Sequence, residues 1–476
     1  MWENDYEMVI GLEVHAELKT KTKIFCGCPT TFGAEPNTQC CPVCTGMPGS
    51  LPVLNRKVVE LAAKAGLATN CEIALRFRMD RKNYFYPDLP KAYQISQYDL
   101  PLCRNGYLNI ETETGEKKIG ITRIHIEEDA GKLIHDKAEG TLIDCNRCGV
   151  PLIEIVSEPD LRSGEEVKAY LKKLRSILLY TGVSDCKMNE GSLRCDVNLS
   201  VRKKGEKTLG VRTEMKNLNS FQFIGKAIAY EAKRQIELLQ SGGKVLQETR
   251  RYDEHTGKTY AMRSKESLSD YRFFPEPDLP PVKLDAETVA RWKAEIPMLP
   301  DERKRLYVSS YGIPAQIAEQ LTARREDAEY FEQAAKQVKN PSLCGLLMQS
   351  ELLPKAGEEM IPIPPERFAA VCALLDEQQI NHATARKLIS LLWEQDFDPA
   401  AYVAEHGLLQ LNDTALFSAL ADEVIEKETK SVAAYLAGKE AAAQAIIGKV
   451  IGRTGGRGNP QAIRQIVLDK LTEMKK

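Results

Sequence analysis

The sequence predicts an α+β protein of more than one domain, in which a strand-rich first three-fifths precedes an all-helical remainder. Three observations carry this. The chain has 476 residues, more than one hydrophobic core ordinarily serves, so several cores are expected. Up to about residue 275, apolar and polar residues alternate with period two between Gly and Pro punctuation. After the proline cluster FPEPDLPP (274–281) the alternation gives way to helical spacing, so a boundary is expected near it.

The first element is a strand over VIGLEVHAEL (9–18). Strand geometry puts Glu13, His15 and Glu17 on one face and Ile10, Leu12, Val14, Ala16 and Leu18 on the other. A polar face usually meets water, but Glu and His are poor strand formers, which makes this face a candidate site. A strand over 121–126 ends in Glu127-Glu128-Asp129, three adjacent acids that repel one another without a compensating cation. In GVPLIEIV (149–156) the carboxylate of Glu154 interrupts an apolar run, so it needs a cation, a partner or a proton. Helices are expected from Ser163, which can cap them, and over 220–240, ending at Ser241-Gly242-Gly243. Between them, Arg194, Asp196, Asn198, Ser200 and Arg202 share one strand face, and Arg212, Glu214 and Lys216 another. Lys82 stands in a turn dense in aromatic and polar groups. Helical periodicity resumes over 286–296. A bundle of short helices, broken by Gly312-Ile313-Pro314, Asn340-Pro341 and 361–365, follows to about 405. From about 407 a further small helical unit runs to a flexible basic loop, GRTGGRGNP (452–460), and a final short helix.

Composition restricts the class. Lys plus Arg (65) nearly balance Asp plus Glu (67), so net charge gives no argument for nucleic-acid binding. The distribution is uneven, with eight basic against three acidic residues from Lys439 to Lys476. The acidic N-terminus and the absence of a long apolar run point to a cytoplasmic protein without a membrane span. Thirteen cysteines are then expected to be reduced thiols. Cys26-Gly27-Cys28 and Cys41-Pro42-Val43-Cys44 form two close pairs, which lets four thiolates converge on a structural zinc ion, with Cys40 able to replace Cys41. Cys145 and Cys148 lack a second pair nearby.

Glu13, His15, Glu128 and Glu154 supply hard, mostly oxygen donors of the kind that hold magnesium or manganese. The basic and amide groups on neighbouring strands suit a polyphosphate held between cations and metal. There is no Walker-type phosphate loop, kinase catalytic loop, dinucleotide glycine fingerprint or hydrolase nucleophile elbow, so a nucleotide would lie on an open sheet.

The stretches VIGLEVHAEL, FGAEPNTQCCPVCTGMPGSLPVLN, DRKNYFYPDLPKAYQISQYDLP, RIHIEEDAGKLIH, NRCGVPLIEIVSEPD, GSLRCDVNLSVR and TEMKNLNSFQFI span most of residues 8–278. Together they resemble the B-subunit (GatB) family of tRNA-dependent aspartyl/glutamyl-tRNA(Asn/Gln) amidotransferases. The resemblance implies an antiparallel-sheet cradle related to glutamine synthetase over 1–294, a helical domain over 295–406 and a tRNA-binding tail over 407–476. It implies that Glu-tRNA(Gln), Asp-tRNA(Asn) or both are amidated. In that family the B subunit phosphorylates the side-chain carboxylate with ATP. Ammonia from the A subunit, a glutaminase, then displaces phosphate, and the small C subunit completes a heterotrimer.

By the same resemblance His15, Glu128 and Glu154 are magnesium ligands, Glu13 and Glu127 stand close by as catalytic groups, and Lys82 and Arg194 lie near phosphate. Asn198, Lys216 and Arg263 are further nucleotide contacts, and zinc binds Cys26, Cys28, Cys41 and Cys44. The alternative is a non-catalytic, zinc-stabilised tRNA-binding scaffold, to which the four cysteines and the basic tail with Arg453, Arg457 and Arg464 would also be suited. A zinc or manganese hydrolase is disfavoured, because no open-site, His-rich constellation is present.

Overall fold

The computed structural model describes residues 5–135, 139–216, 218, 220–264, 270–357 and 359–474. It divides into two units, Met1–Leu299 and Pro300–Lys476.

Alternating residues in the first unit build a nine-stranded sheet. Its order is Lys258–Ser264, Glu248–Asp253, Thr213–Lys216, Leu193–Lys203, Tyr6–Glu17, Pro151–Ser157, Gly115–Glu128, Cys103–Thr112 and Glu72–Ile73. Neighbours are antiparallel except Thr213–Lys216 with Glu248–Asp253, which run parallel. Tyr6–Glu17 is central, and Ile10, Leu12, Val14 and Ala16 on its inner face are buried in one hydrophobic cluster. Each such aliphatic side chain larger than alanine contributes about 1.5–3 kcal/mol when fully buried. Helices Arg56–Ala68, Gly164–Tyr180 and Phe221–Gln240 pack on this face against strands Gly115–Glu128, Cys103–Thr112 and Leu193–Lys203 respectively. The first approaches so closely that a Cβ on Gly66 would stand 2.5 Å from the Cys103 sulfur.

Ser163 and Ser220 cap the last two helices, accepting from the backbone N–H of Glu166 and Phe223. Gly242, with φ of 79°, lets the chain leave the second. The division between the units falls at Leu299, beyond the proline-rich segment itself. Phe274–Pro275 pairs with Asp80–Asn83, and Glu276 is buried against Arg81 at 2.7 Å, which ties the segment into the first unit.

Glu231 shows how the helix layer is fastened. Its fully buried carboxylate accepts from Arg234 (2.7 and 2.9 Å), Thr259 (2.8 Å), Gln235 (2.9 Å) and Thr213 (3.1 Å), and faces Arg250 at 3.2 Å. Burial alone would raise its pKa, but these donors hold it below the ordinary glutamate value. Glu231→Gln is therefore expected to cost about 3 kcal/mol in urea unfolding at pH 7, because the arginines lose their counter-charge. The folded pKa is depressed, so this stability is present above the unfolded-state value and lost as pH falls through the folded one. The difference between the two proteins should accordingly shrink on acidification below pH ~4.

The second unit is helical. Prolines that interrupt the sequence pattern begin helices rather than only ending them. Pro341, Pro365, Pro399 and Pro460 each occupy the first turn, where the missing N–H costs nothing. One cluster gathers Tyr307, Phe331, Phe368 and Leu388; another gathers Phe417, Ile446, Ile463 and Val467. The glycine-rich loop expected to be flexible is tied down. Leu411 donates to the Arg457 carbonyl (2.8 Å), Asn459 N–H donates back to Leu411 (3.0 Å), and Gly458 N–H donates to the Thr454 hydroxyl (2.8 Å). Among the described residues no helix is long and apolar enough to cross a membrane.

Candidate functional site

The outer face of the sheet carries rows of polar side chains that backbone pairing sets side by side. His15 lies opposite Glu154 on one flank and Arg194 on the other, and Glu154 lies opposite His125. The next row places Glu13 beside Asp196, and Glu17 shares Leu152 as a neighbour with Glu127. Period two thus turns separate stretches of sequence into one surface.

His15 Nε2 stands 3.3 Å from Glu154 Oε2 and 3.4 Å from Glu127 Oε1. Burial alone would lower the histidine pKa, but the hydrogen bonds and charges of the two carboxylates overcome it and raise the value to about 10. His15 and His125 together pull both carboxylates below their ordinary range against the opposing effect of burial. A protonated imidazole therefore supplies the positive charge that two buried carboxylates require. The donor atoms of His15, Glu127 and Glu154 all lie within 4.8 Å of one another. Two carboxylate oxygens and an imidazole nitrogen at that spacing fit a hard divalent cation, which would replace the imidazole proton.

The expected set is not brought together whole. Glu128 does not stand with His15 and Glu154; Glu127 does. In the strand Gly115–Glu128, Ile124 and Ile126 point into the core, so alternation sends Glu128 inward after them. There its carboxylate is buried against Lys91 Nζ, 2.6 Å from Oε2, and accepts from Ile95 N–H at 2.8 Å. The third acid, Asp129, pairs with Arg194 at 2.6 Å and Arg147 at 3.4 Å. Three adjacent acids are thus separated onto three different sets of partners.

The remaining expected residues are more committed than the sequence implied. Glu13 accepts from Asn198 Nδ2 at 2.9 Å, and burial together with the charge of Glu154 raises its pKa. Burial and then Asp129 push Glu17 up to about 7. Lys216 is paired with Asp196 (2.7 Å) and Glu214 (3.1 Å). Arg194 is paired too, yet its Nε is buried without a partner among the described residues. The side chain of Arg263 lies outside the described residues.

Lys82 lies in the short strand Asp80–Asn83 rather than in a turn. Its ammonium sits 4.9 Å from the Tyr271 ring centre and 5.8 Å from that of Tyr84, with no carboxylate at ion-pair distance among the described residues. The adjoining strand Tyr93–Ser96 reaches the acidic centre, where the Ser96 hydroxyl lies 3.3 Å from Glu127 Oε2.

The second cluster is chemically different. The sulfurs of Cys26, Cys28, Cys41 and Cys44 lie within 4.8 Å of one another. Cys40 is outside this set, its thiol turned to the Asn37 carbonyl at 3.3 Å. The Cys26 thiol, the backbone N–H of Cys41 and the charge of Lys23 bring Cys44 down to about 4 despite burial, so its sulfur is the thiolate that a soft metal takes. Fully buried Lys23 lies 3.6 Å from the same sulfur and 3.4 Å from the Cys145 carbonyl. His125, Lys91 and Lys23 were missed in the sequence. The alternation Arg123, His125, Glu127 was a signal for the first; the others pair with residues remote in the chain.

With this geometry in place, comparison with known proteins is specific. Residues 8–290 match the sequence profile of the GatB/GatE catalytic domain, and residues 329–471 that of the GatB domain. The B subunit of the aspartyl/glutamyl-tRNA(Asn/Gln) amidotransferase of Caldicellulosiruptor saccharolyticus is 54% identical, covering 99% of this chain and 100% of that protein. Its counterpart in Carboxydothermus hydrogenoformans is 52% identical with the same coverage. The Geotalea daltonii protein of the same name is 49% identical, over 98% of this chain and 99% of its own length.

Proposed function

The chain belongs to the GatB family, and from that premise we propose that it is the B subunit that amidates Glu-tRNA(Gln), Asp-tRNA(Asn) or both in the cytoplasm. The observation that carries this reading is the convergence of His15, Glu127 and Glu154 on one polar sheet face, with Lys82 on the strand that pairs with Tyr93–Ser96, whose Ser96 reaches Glu127. We read that face as a cradle related to that of glutamine synthetase, within a catalytic domain over 1–294.

In the proposed reaction a side-chain carboxylate oxygen attacks the γ-phosphorus of ATP and ADP leaves, giving an acyl phosphate. Ammonia then attacks the acyl carbon, phosphate departs and a proton is released. Both partners in the first step are anionic, so catalysis is a matter of position and charge. A magnesium ion, when bound, supplies charge neutralisation. Lys82, held by aromatic rings instead of a carboxylate, offers an ammonium to phosphate. The Nε of Arg194, without a hydrogen-bond partner among the described residues, is a second donor, and Asn198 and Lys216 brace Glu13 and Asp196 along the same wall. Acyl phosphates hydrolyse, so the site is expected to be shielded and fed by an internal path opening towards the glutaminase (A) subunit, with the C subunit completing a heterotrimer. Zinc on the four cysteines is structural, since a closed four-thiolate site leaves no position for substrate. A helical domain over 295–406 leads to a tail over 407–476, whose exposed Arg453 and Arg464 suit tRNA phosphates; Arg457 is partly engaged in its own loop.

The test is reconstitution with the A and C subunits, Glu-tRNA(Gln) and γ-phosphate-labelled ATP, without glutamine. Cleavage of ATP that depends on the aminoacyl group, with label trapped on the tRNA, is the expected result. Binding of tRNA with no nucleotide-dependent chemistry would instead establish the scaffold alternative.

A further inference from the structure

The acidic centre contains a second imidazole that the metal reading leaves without a role. His125 is 3% exposed. Its Nε2 lies 3.4 Å from Glu127 Oε2 and 3.5 Å from Glu154 Oε2, so it approaches the same two carboxylates that flank His15. A buried histidine at two carboxylates is either a further ligand or a group that sets the ligands in place. The donor and acceptor pattern around it decides between these.

Arg123 Nε–H donates to His125 Nδ1 at 3.3 Å. A guanidinium keeps its charge and accepts no hydrogen bonds, so Nδ1 must present a lone pair. With Nδ1 accepting, the ring N–H belongs to Nε2, the atom that faces Glu127 and Glu154. An Nε2–H donor has no lone pair to offer a metal. His15 carries no such constraint, since its Nε2 faces the carboxylates and no cation among the described residues is bonded to its ring.

Glu127 records the consequence. Its Oε1 turns to His15, whereas its Oε2 is approached by His125 and by the Ser96 hydroxyl at 3.3 Å. With two donors on Oε2, the carboxylate cannot rotate without losing both, and Oε1 stays on the side of the donor set.

We propose that His125 is a positioning residue of the divalent-metal site. Arg123 fixes its tautomer, and its Nε2–H together with Ser96 orients Glu127, and less directly Glu154, to receive the ion. The proposal rests on reading His15, Glu127 and Glu154 as the metal ligands. It concerns how the ligands are held, and His125 itself does not bind the metal.

The experiment measures Mn²⁺ binding to the full chain by electron paramagnetic resonance, with melting temperature recorded for every variant. His125→Leu removes the donor and should raise the Mn²⁺ dissociation constant on the order of 10- to 100-fold. His125→Gln places an amide N–H near the Nε2 position and should restore most of that affinity, although both variants alter packing. Arg123→Met touches neither carboxylate, tests the tautomer if the histidine variants fold poorly, and should weaken Mn²⁺ in the same direction. Electron spin-echo modulation should show one directly bound imidazole nitrogen, unchanged in His125→Leu. Equal affinities in wild type and His125→Leu would overturn the positioning role, as would loss of a nitrogen coupling in that variant. Absence of Mn²⁺ binding in wild type, or binding unaffected by Glu154→Gln, would overturn the metal reading itself and the proposal with it.

Discussion

Glu154→Gln in the reconstituted enzyme is expected to reduce aminoacyl-tRNA-dependent ATP cleavage by at least about a hundredfold while leaving the fold intact. The substitution is isosteric and removes one negative charge from a centre whose other members are Glu127 and His15. Charge stabilisation by a bound divalent ion is worth several kcal/mol in the transition state, and each 1.4 kcal/mol is a factor of ten. Glu127→Gln should behave alike. Glu128→Gln should not, because that carboxylate faces Lys91 on the core side. Its expected effect is lower stability, since a buried ammonium loses its partner. Measuring Mn²⁺ affinity, melting temperature and ATP cleavage for all three separates the possibilities. If Glu128→Gln loses the metal and Glu127→Gln keeps it, the assignment is reversed. If Glu154→Gln turns over at the wild-type rate, the metal has no part in the chemistry.

How the sequence and the structure diverge at this pair is instructive. The polar face of Tyr6–Glu17 could be read directly, because period two is a property of the strand and needs no knowledge of its neighbours. Glu154 was marked by its apolar surroundings for the same reason. Choosing between Glu127 and Glu128 required the alternation to be continued from Ile124 and Ile126, which puts Glu128 inward. A buried carboxylate looks too costly there until its partner is known, and Lys91 lies 37 residues away in the chain. The pairing of Arg194 with Asp129 and of Lys216 with Asp196 escaped the sequence likewise, being set by strand order rather than local pattern. The four-cysteine cluster was legible because two short spacings define it. What it packs against was not.

That packing makes loss of the zinc proposed for the four thiolates the second large effect. Cys44→Ser is expected to abolish stoichiometric zinc and to leave the segment from residue 26 to 52 open to proteolysis. This segment has little regular secondary structure, so a metal on the four thiolates would take the place of a hydrophobic core in holding it together. Structural zinc in small domains contributes an apparent ~10–16 kcal/mol at neutral pH, far more than the other contacts of such a loop. The disturbance should travel along a definite route. Gln39 N–H donates to Asn146 Oδ1 (2.7 Å), Cys145 N–H donates to Asn37 Oδ1 (2.7 Å), and Asn146 Nδ2 donates to the Glu35 carbonyl (2.7 Å). Residues 144–149 in turn lead into the strand that carries Glu154, and Arg147 reaches Asp129. Hydrogen exchange in Cys44→Ser should therefore rise first in 26–52 and next in 144–149, while the helices of the second unit stay protected. Cys40→Ser and Cys145→Ser, by contrast, should retain one zinc per chain. A Cys44→Ser protein that keeps its zinc and its protease resistance would show that the four thiolates do not form one site, and exchange confined to 26–52 would show that the loop is fastened independently of the strand beneath it.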